Sequence, residues 1–391
     1  MPAPTIKQFV YRAGTRKRVP VSGTFELTSR CNLNCKMCYI HMSAEEQQAA
    51  GAELTTEQWL DIGRQAVKAG MIYLLITGGE PMLRPDFTTI YSEIVKMGVM
   101  ISVNTNATLI TPEIIDCFRK HPPELVNVTL YGAEPHTYAD LCGVRQGFER
   151  ARDGVRMLVE AGIRVSINTT FTTANQQDME ALVAYAKEMG IPIRTASFTF
   201  PPVRNGHPAC EVCLSPEEQG RLNARFEYLS TPPEYRAGKA ERLRQCLQRD
   251  AARDPHAELP EEGRPSSCMA GRGLFWMAWN GEMYPCGMMS RFAAAPGPFD
   301  EQWKQVRDMT DPIRLPALCK ECAFRTVCPS YAAVTESVNG DPSALVESLC
   351  RYTKTYCHTF VDLVSLDAAP PQAEGKPQEP DEGDLSPFVC L

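Results

Sequence analysis

Between residues 22 and 200 the chain alternates short β-rich runs with helix-length amphipathic runs, about every 25 to 40 residues, which is the grammar of βα units. Strands are predicted at Val21 to Leu27 and at 71–77, 100–104, 125–131, 163–170 and 191–199. The run MIYLLIT (71–77) is apolar without alternation, as a strand covered on both faces should be. Helices are predicted at 56–69, from a cap at Asp86 to Gly98, and at 111–120, 147–161 and 175–189. Thr55 or Thr56 opens the first, Thr111 and Pro112 open the third, and Gly70, Gly162 and Gly190 stand where helices stop. About six parallel strands are fewer than a closed eight-stranded barrel needs, so an open or partial barrel is expected.

The pattern changes after residue 200. Residues 201–265 are rich in Pro, Arg and Glu, with one or two polar helices around 215–250, and read as a bridge. A compact cysteine-rich region spans 266–366, and its segment LFWMAWNGEMYPC carries a hairpin signal at Asn280-Gly281. Residues 367–391 read as a solvated acidic, Pro-rich tail ending in PFVCL, and 1–20 as an extension too short for a leader-binding domain. The fold class is therefore α/β, a partial (β/α)6 TIM-like barrel followed by a small cysteine-rich α+β domain.

Composition narrows the chemistry. A net charge of −7 over 391 residues gives no electrostatic case for nucleic acid. Lacking a long apolar run and an N-terminal apolar signal, the chain is expected in the cytoplasm, away from membrane. Sixteen cysteines in a reducing compartment call for another explanation than disulfides.

Their spacing is informative. Cys31, Cys35 and Cys38 follow the first strand, and three thiolates can hold a cubane iron–sulfur cluster with one iron left open, whereas structural zinc wants a fourth ligand such as His41. Cys319, Cys322, Cys328 and Cys350 offer four donors, which fit zinc or a fully ligated cluster equally. Cys268 and Cys286 flank the hairpin as ligands or as two buried thiols; Cys210 and Cys213 form a pair; Cys117 and Cys142 read as inert.

CNLNCKMC resembles the CxxxCxxC signature of the radical S-adenosylmethionine (radical SAM) enzymes, and Gly78-Gly79-Glu80-Pro81 after the second strand resembles their second element. Two glycines let backbone approach a ligand, and a carboxylate with carbonyls there can receive an ammonium group. The resemblance implies a [4Fe–4S] cluster on Cys31, Cys35 and Cys38 that chelates S-adenosylmethionine, whose reductive cleavage yields a 5′-deoxyadenosyl radical. An external one-electron reductant of flavodoxin or ferredoxin type is implied with it. Met37 stands where the family usually has an aromatic residue, and Tyr39 can serve the adenine instead. Asn104, Asn106, Thr129, Tyr131, Arg145 and Asn168 resemble cofactor-pocket positions, Asn104 and Thr129 most closely.

The C-terminal cysteine order resembles the SPASM (or twitch-type) domain of enzymes acting on peptides and proteins. It implies at least one auxiliary [4Fe–4S] cluster, on Cys319, Cys322, Cys328 and Cys350, with Cys268 and Cys286 as ligands of a second. A further ligand of that second cluster falls where this chain has Tyr331 and Ala332, so the cluster either recruits Cys246, Cys357, Cys210 or Cys213, keeps an open iron, or is absent. A peptide or protein substrate is expected, and the favoured reading is a maturase of a ribosomally made peptide, installing a thioether or carbon–carbon crosslink or inverting an α-carbon. The alternatives are a formylglycine-generating sulfatase maturase and, in another class, an iron–sulfur electron carrier or zinc-stabilised binding protein. No residue stands out as catalytic base or hydrogen donor.

Overall fold

The computed structural model describes residues 5–40, 42–196, 198–199, 211–254, 263 and 268–367. His41, Cys210, Cys390 and the PFVCL tail lie outside the described residues.

One eight-stranded sheet organises the molecule. Its strands are β1 (Ser22–Glu26), β2 (Tyr73–Thr77), β3 (Met100–Thr105), β4 (Leu125–Thr129), β5 (Val165–Thr169), β6 (Ile193–Thr195), β7 (Leu274–Met277) and β8 (Met283–Tyr284), ordered β6-β5-β4-β3-β2-β1-β7-β8. All neighbours are parallel except β7 and β8, which form the hairpin predicted at Asn280-Gly281, with Gly281 at φ +89°. The expected six parallel strands become seven, because β7 pairs in parallel with β1 from Ser22↔Leu274 to Phe25↔Met277. Trp276 Nε1 donates to Glu26 Oε2 at 2.8 Å, so the sheet runs across the border expected at residue 266. No periodicity in the cysteine-rich segment announces this, since strand pairing partners are chosen in three dimensions. β6 is shorter than 191–199 because only Ile193–Thr195 find partners on β5.

Strand faces differ by alternation. In β4, Val126 and Val128 are fully buried beneath the helices, while Leu125, Asn127 and Thr129 point to a partly open lumen. Helices Thr56–Ala69, Phe87–Val95, Pro112–Lys120, Gly147–Glu160 and Met179–Glu188 cover the outer face. Asp86 heads its helix without capping it, because its carboxylate is held by Arg84 at 2.7 Å and by Thr56 at 2.5 Å. The extension contains a helix, Ile6–Lys17, started by a Thr5/Gln8 capping box that the sequence reading overlooked. The bridge is helical over Pro216–Ser230 and Pro233–Ala251, and Glu347–Asp367 packs on the first of these. A Cβ on Gly220 would lie 2.7 Å from Tyr352 O, so glycine sets that close crossing.

Candidate functional site

The loop after β1 is fastened over the C-terminal ends of the strands by backbone bonds. Gly79 N–H donates to Thr28 O and Glu80 N–H to Arg30 O, each at 2.8 Å, while Asn34 and Lys36 N–H donate to Cys142 O and Leu141 O. A Cβ on Gly79 would stand 2.2 Å from Arg30 O, and one on Gly78 2.7 Å from Thr28 O. The two glycines are needed first for this loop-on-loop contact, and only then does their bare backbone face the cavity.

Glu80 lies behind the cavity wall. Its carboxylate is wholly buried and accepts Thr105 Oγ1–H at 2.8 Å and Met82 N–H at 3.1 Å on Oε1, and Asn106 N–H at 2.7 Å on Oε2. It ties the β2 and β3 loops together and, unlike Gly78 and Gly79, does not line the cavity. Burial pushes its pKa up to about 7 against the pull of those donors. Pro81 is buried at the start of a short turn, Pro81–Leu83, and does not line the cavity.

A cavity of about 250 Å³ runs from the cysteine loop down the lumen. Cys31, Cys35, Cys38, Tyr39, Gly78, Gly79, Asn104, Thr129 and Asn168 all line it, so the fold gathers these sequence-predicted residues in one place. Arg145 does not join them: it is exposed on the link between Pro135–Cys142 and Gly147–Glu160. Cys31 Sγ receives Leu33 N–H at 3.4 Å and Asn106 Nδ2–H at 3.8 Å, and Asn106 also bonds Asn32 Oδ1 at 2.9 Å. Burial, together with Glu80, Cys35 and Cys38 nearby, pushes the Cys31 thiol up to about 12. Cys35 is hydrogen-bonded by Cys142, which with burial holds its thiol well above the ordinary range. Cys142, expected to be inert, is thus a direct neighbour of the loop, a contact made by folding alone. Met37, where the family usually has an aromatic residue, is buried in the apolar cluster of Tyr138 and Phe148 and also lines the cavity.

Sequence reasoning missed the lumen's charge. Asn127 donates to Asn104 at 2.9 Å, and Arg194, Arg164 and the pair Lys7–Glu124 (2.6 Å) also face the cavity. Across the mouth stand Phe198, Met288, Pro329 and Tyr331. The alternation in VNVT could have exposed Asn127, while Lys7 required the unsuspected first helix.

In the C-terminal region, burial together with the neighbouring Cys328, Cys319 and Cys322 pushes Cys350 up to about 11, so these four thiols are brought together. Cys319 closes a short turn, Ala317–Cys319, and Cys350 sits in the first turn of Glu347–Asp367. Cys268 and Cys286 share an apolar cluster with Met288, Met289 and Ala333, against which Cys328 also packs. Cys246 and Cys357 lie in another, with Phe324 and Phe360. Cys213 is disulfide-bonded. Among the described residues no three His, Cys, Asp or Glu side chains converge on the position of a single ion.

The family model of the Radical SAM superfamily matches residues 25–186, the segment that carries the cysteine loop, Gly78–Gly79 and the polar lumen. The chain carries a radical SAM domain. As a radical SAM enzyme its domain implies S-adenosylmethionine and a [4Fe–4S] cluster. Three thiols at the mouth of a polar cavity, with N–H donors on Cys31 and bare glycine backbone alongside, fit both groups. The chain is 28% identical to the AdoMet-dependent heme synthase of Methanosarcina barkeri (strain Fusaro / DSM 804), over 81% of this chain and 92% of that protein. It is 27% identical to the PqqA peptide cyclase of Streptomyces rochei, over 44% and 46%. Its fold is that of anSMEcpe with bound AdoMet, at a TM-score of 0.65 and 14% identity, over 89% of this chain and 99% of that one. It is also that of Streptococcus suis SuiB bound to precursor peptide SuiA, at 0.62 and 18%, over 88% and 80%. No helix among the described residues is long and apolar enough to cross a membrane.

Proposed function

We propose that Cys31, Cys35 and Cys38 hold a [4Fe–4S] cluster whose open iron binds S-adenosylmethionine, and that the substrate enters the same cavity and loses a hydrogen there. When bound, the two groups supply a carbon radical on reduction. The observation that carries this is the shared cavity: three thiols, the Gly78–Gly79 backbone and a polar lumen bound one space. Asn106 steadies Cys31, and Asn104, Thr129 and Asn168 offer hydrogen bonds to polar atoms of a ligand lying along the strands. Tyr39, Phe198 and Tyr331 shield the mouth from water.

For the substrate we favour a ribosomally made peptide, crosslinked or epimerised. Support comes from the SPASM-like thiol order and from the similarity to peptide cyclases over 44% of the chain. In this reading Cys319, Cys322, Cys328 and Cys350 carry an auxiliary cluster, and a flavodoxin or ferredoxin supplies electrons. A second reading, an enzyme of heme synthesis, is favoured by the match to heme synthases along most of both chains. Its substrate would be a porphyrin carboxylate, for which Arg164 and Arg194 in the lumen are suitable partners. Anaerobic assays with dithionite and S-adenosylmethionine separate the readings. Formation of 5′-deoxyadenosine that rises with a precursor peptide, together with a mass change in that peptide, supports the first. A response to iron porphyrin carboxylates alone replaces it with the second. A colourless zinc protein that forms no 5′-deoxyadenosine defeats both.

A further inference from the structure

We infer that Cys268 and Cys286 hold no iron–sulfur cluster, so that the chain carries two clusters and not the three of a complete SPASM-type set. The count of two rests on the reading given above for the other thiols; the emptiness of this pair does not.

A cubane has four irons to ligate, and this site offers two sulfurs in an apolar shell. Met288, Met289, Ala332 and Ala333, each at most 3% exposed, fill the space around them. Ala332 and Tyr331 occupy the positions after Cys328 where a further thiol was expected, and Tyr331 turns to the cavity. Among the described residues, the one further cysteine that packs on this shell is Cys328, which belongs with the other set. Cys246 and Cys357 are enclosed with Phe324, Tyr356 and Phe360 in a different cluster, and Cys213 is committed to a disulfide. The buried carboxylate of this region, Glu336, is engaged by Arg291 at 2.7 and 3.0 Å. Where an auxiliary cluster would adjoin the cavity, the wall is therefore side chain, Met288 and Tyr331.

The test compares iron and sulfide content of the full chain, reconstituted anaerobically, with that of C268A/C286A. Expected are about eight irons per wild-type chain and the same count in the variant. A wild-type count near twelve, or a loss of two or more irons in the variant, overturns the inference. An unchanged count near four upholds it while showing that one of the other two thiol sets holds no cluster. If the variant does not accumulate, iron-edge anomalous scattering from crystals of the loaded wild type decides the matter. Iron at Cys268 and Cys286 refutes the inference, and iron confined to the other thiol sets supports it.

Discussion

The two thiol sets differ less in ligand chemistry than in what surrounds them. Cys31, Cys35 and Cys38 sit on a loop above strand ends, facing a lumen lined by Asn104, Thr129 and Asn168. Cys319, Cys322, Cys328 and Cys350 are half-buried on turns and at the start of the helix Glu347–Asp367, and none of the four lines the cavity. Three donors beside an open space suit a centre that binds substrate; four donors away from that space suit a centre that stays saturated. Access to the cavity is thus set by the fold around the sulfur atoms, while their number sets how many irons are left open.

The comparison breaks most sharply if the first set is removed. Replacing Cys31, Cys35 and Cys38 with alanine should reduce 5′-deoxyadenosine formation to background and remove about four irons, read by chromatography and iron assay. The quadruple alanine variant of the second set should also lose about four irons yet keep reductive cleavage of S-adenosylmethionine. Abolished cleavage there would show that the two regions are not separable.

Next in size is Glu80, which holds the first region's floor. In the metal-free chain its carboxyl has a pKa of about 7 against an ordinary 4.5. Between those values the folded state binds the proton and the unfolded state does not, so stability falls as pH rises. Thermal unfolding should lose up to about 3 kcal/mol between pH 4.5 and 7.5, and Glu80→Gln should flatten that slope. The same variant sets an amide NH2 against N–H donors and should cost about 1–3 kcal/mol at pH 5. An identical slope in wild type and variant would remove Glu80 from the account. Smallest is Arg145→Ala: with the side chain exposed and outside the cavity, the KM for S-adenosylmethionine should change less than about twofold, within the range of surface substitutions.

Much of this architecture was legible because its signals are local. Gly70 and Gly162 end helices with positive φ, as their positions implied, and the apolar run 73–77 is buried throughout. The helix at Ile6–Lys17 was also local, in the Thr5–Gln8 box, and simply went unread. Other features had no local signal. The bonds that tie Glu80 to Thr105 and Asn106, about 25 residues on, have no signal in the GGEP stretch itself. Cys142 looked inert until the chain folded it against Cys35. The pairing of β7 with β1 joins residues some 250 apart, beyond the reach of any periodicity.

The amino-acid order alone determined the βα succession, the two cysteine groupings and the class of chemistry, because strand burial, helix stops and ligand spacing are written over a few consecutive residues. Tertiary structure decided which polar groups face the lumen, which are spent on holding loops, and which thiols are walled in by methionine and alanine. Those outcomes depend on packing and hydrogen-bond competition between distant segments, where a donor taken by one partner is no longer free for another.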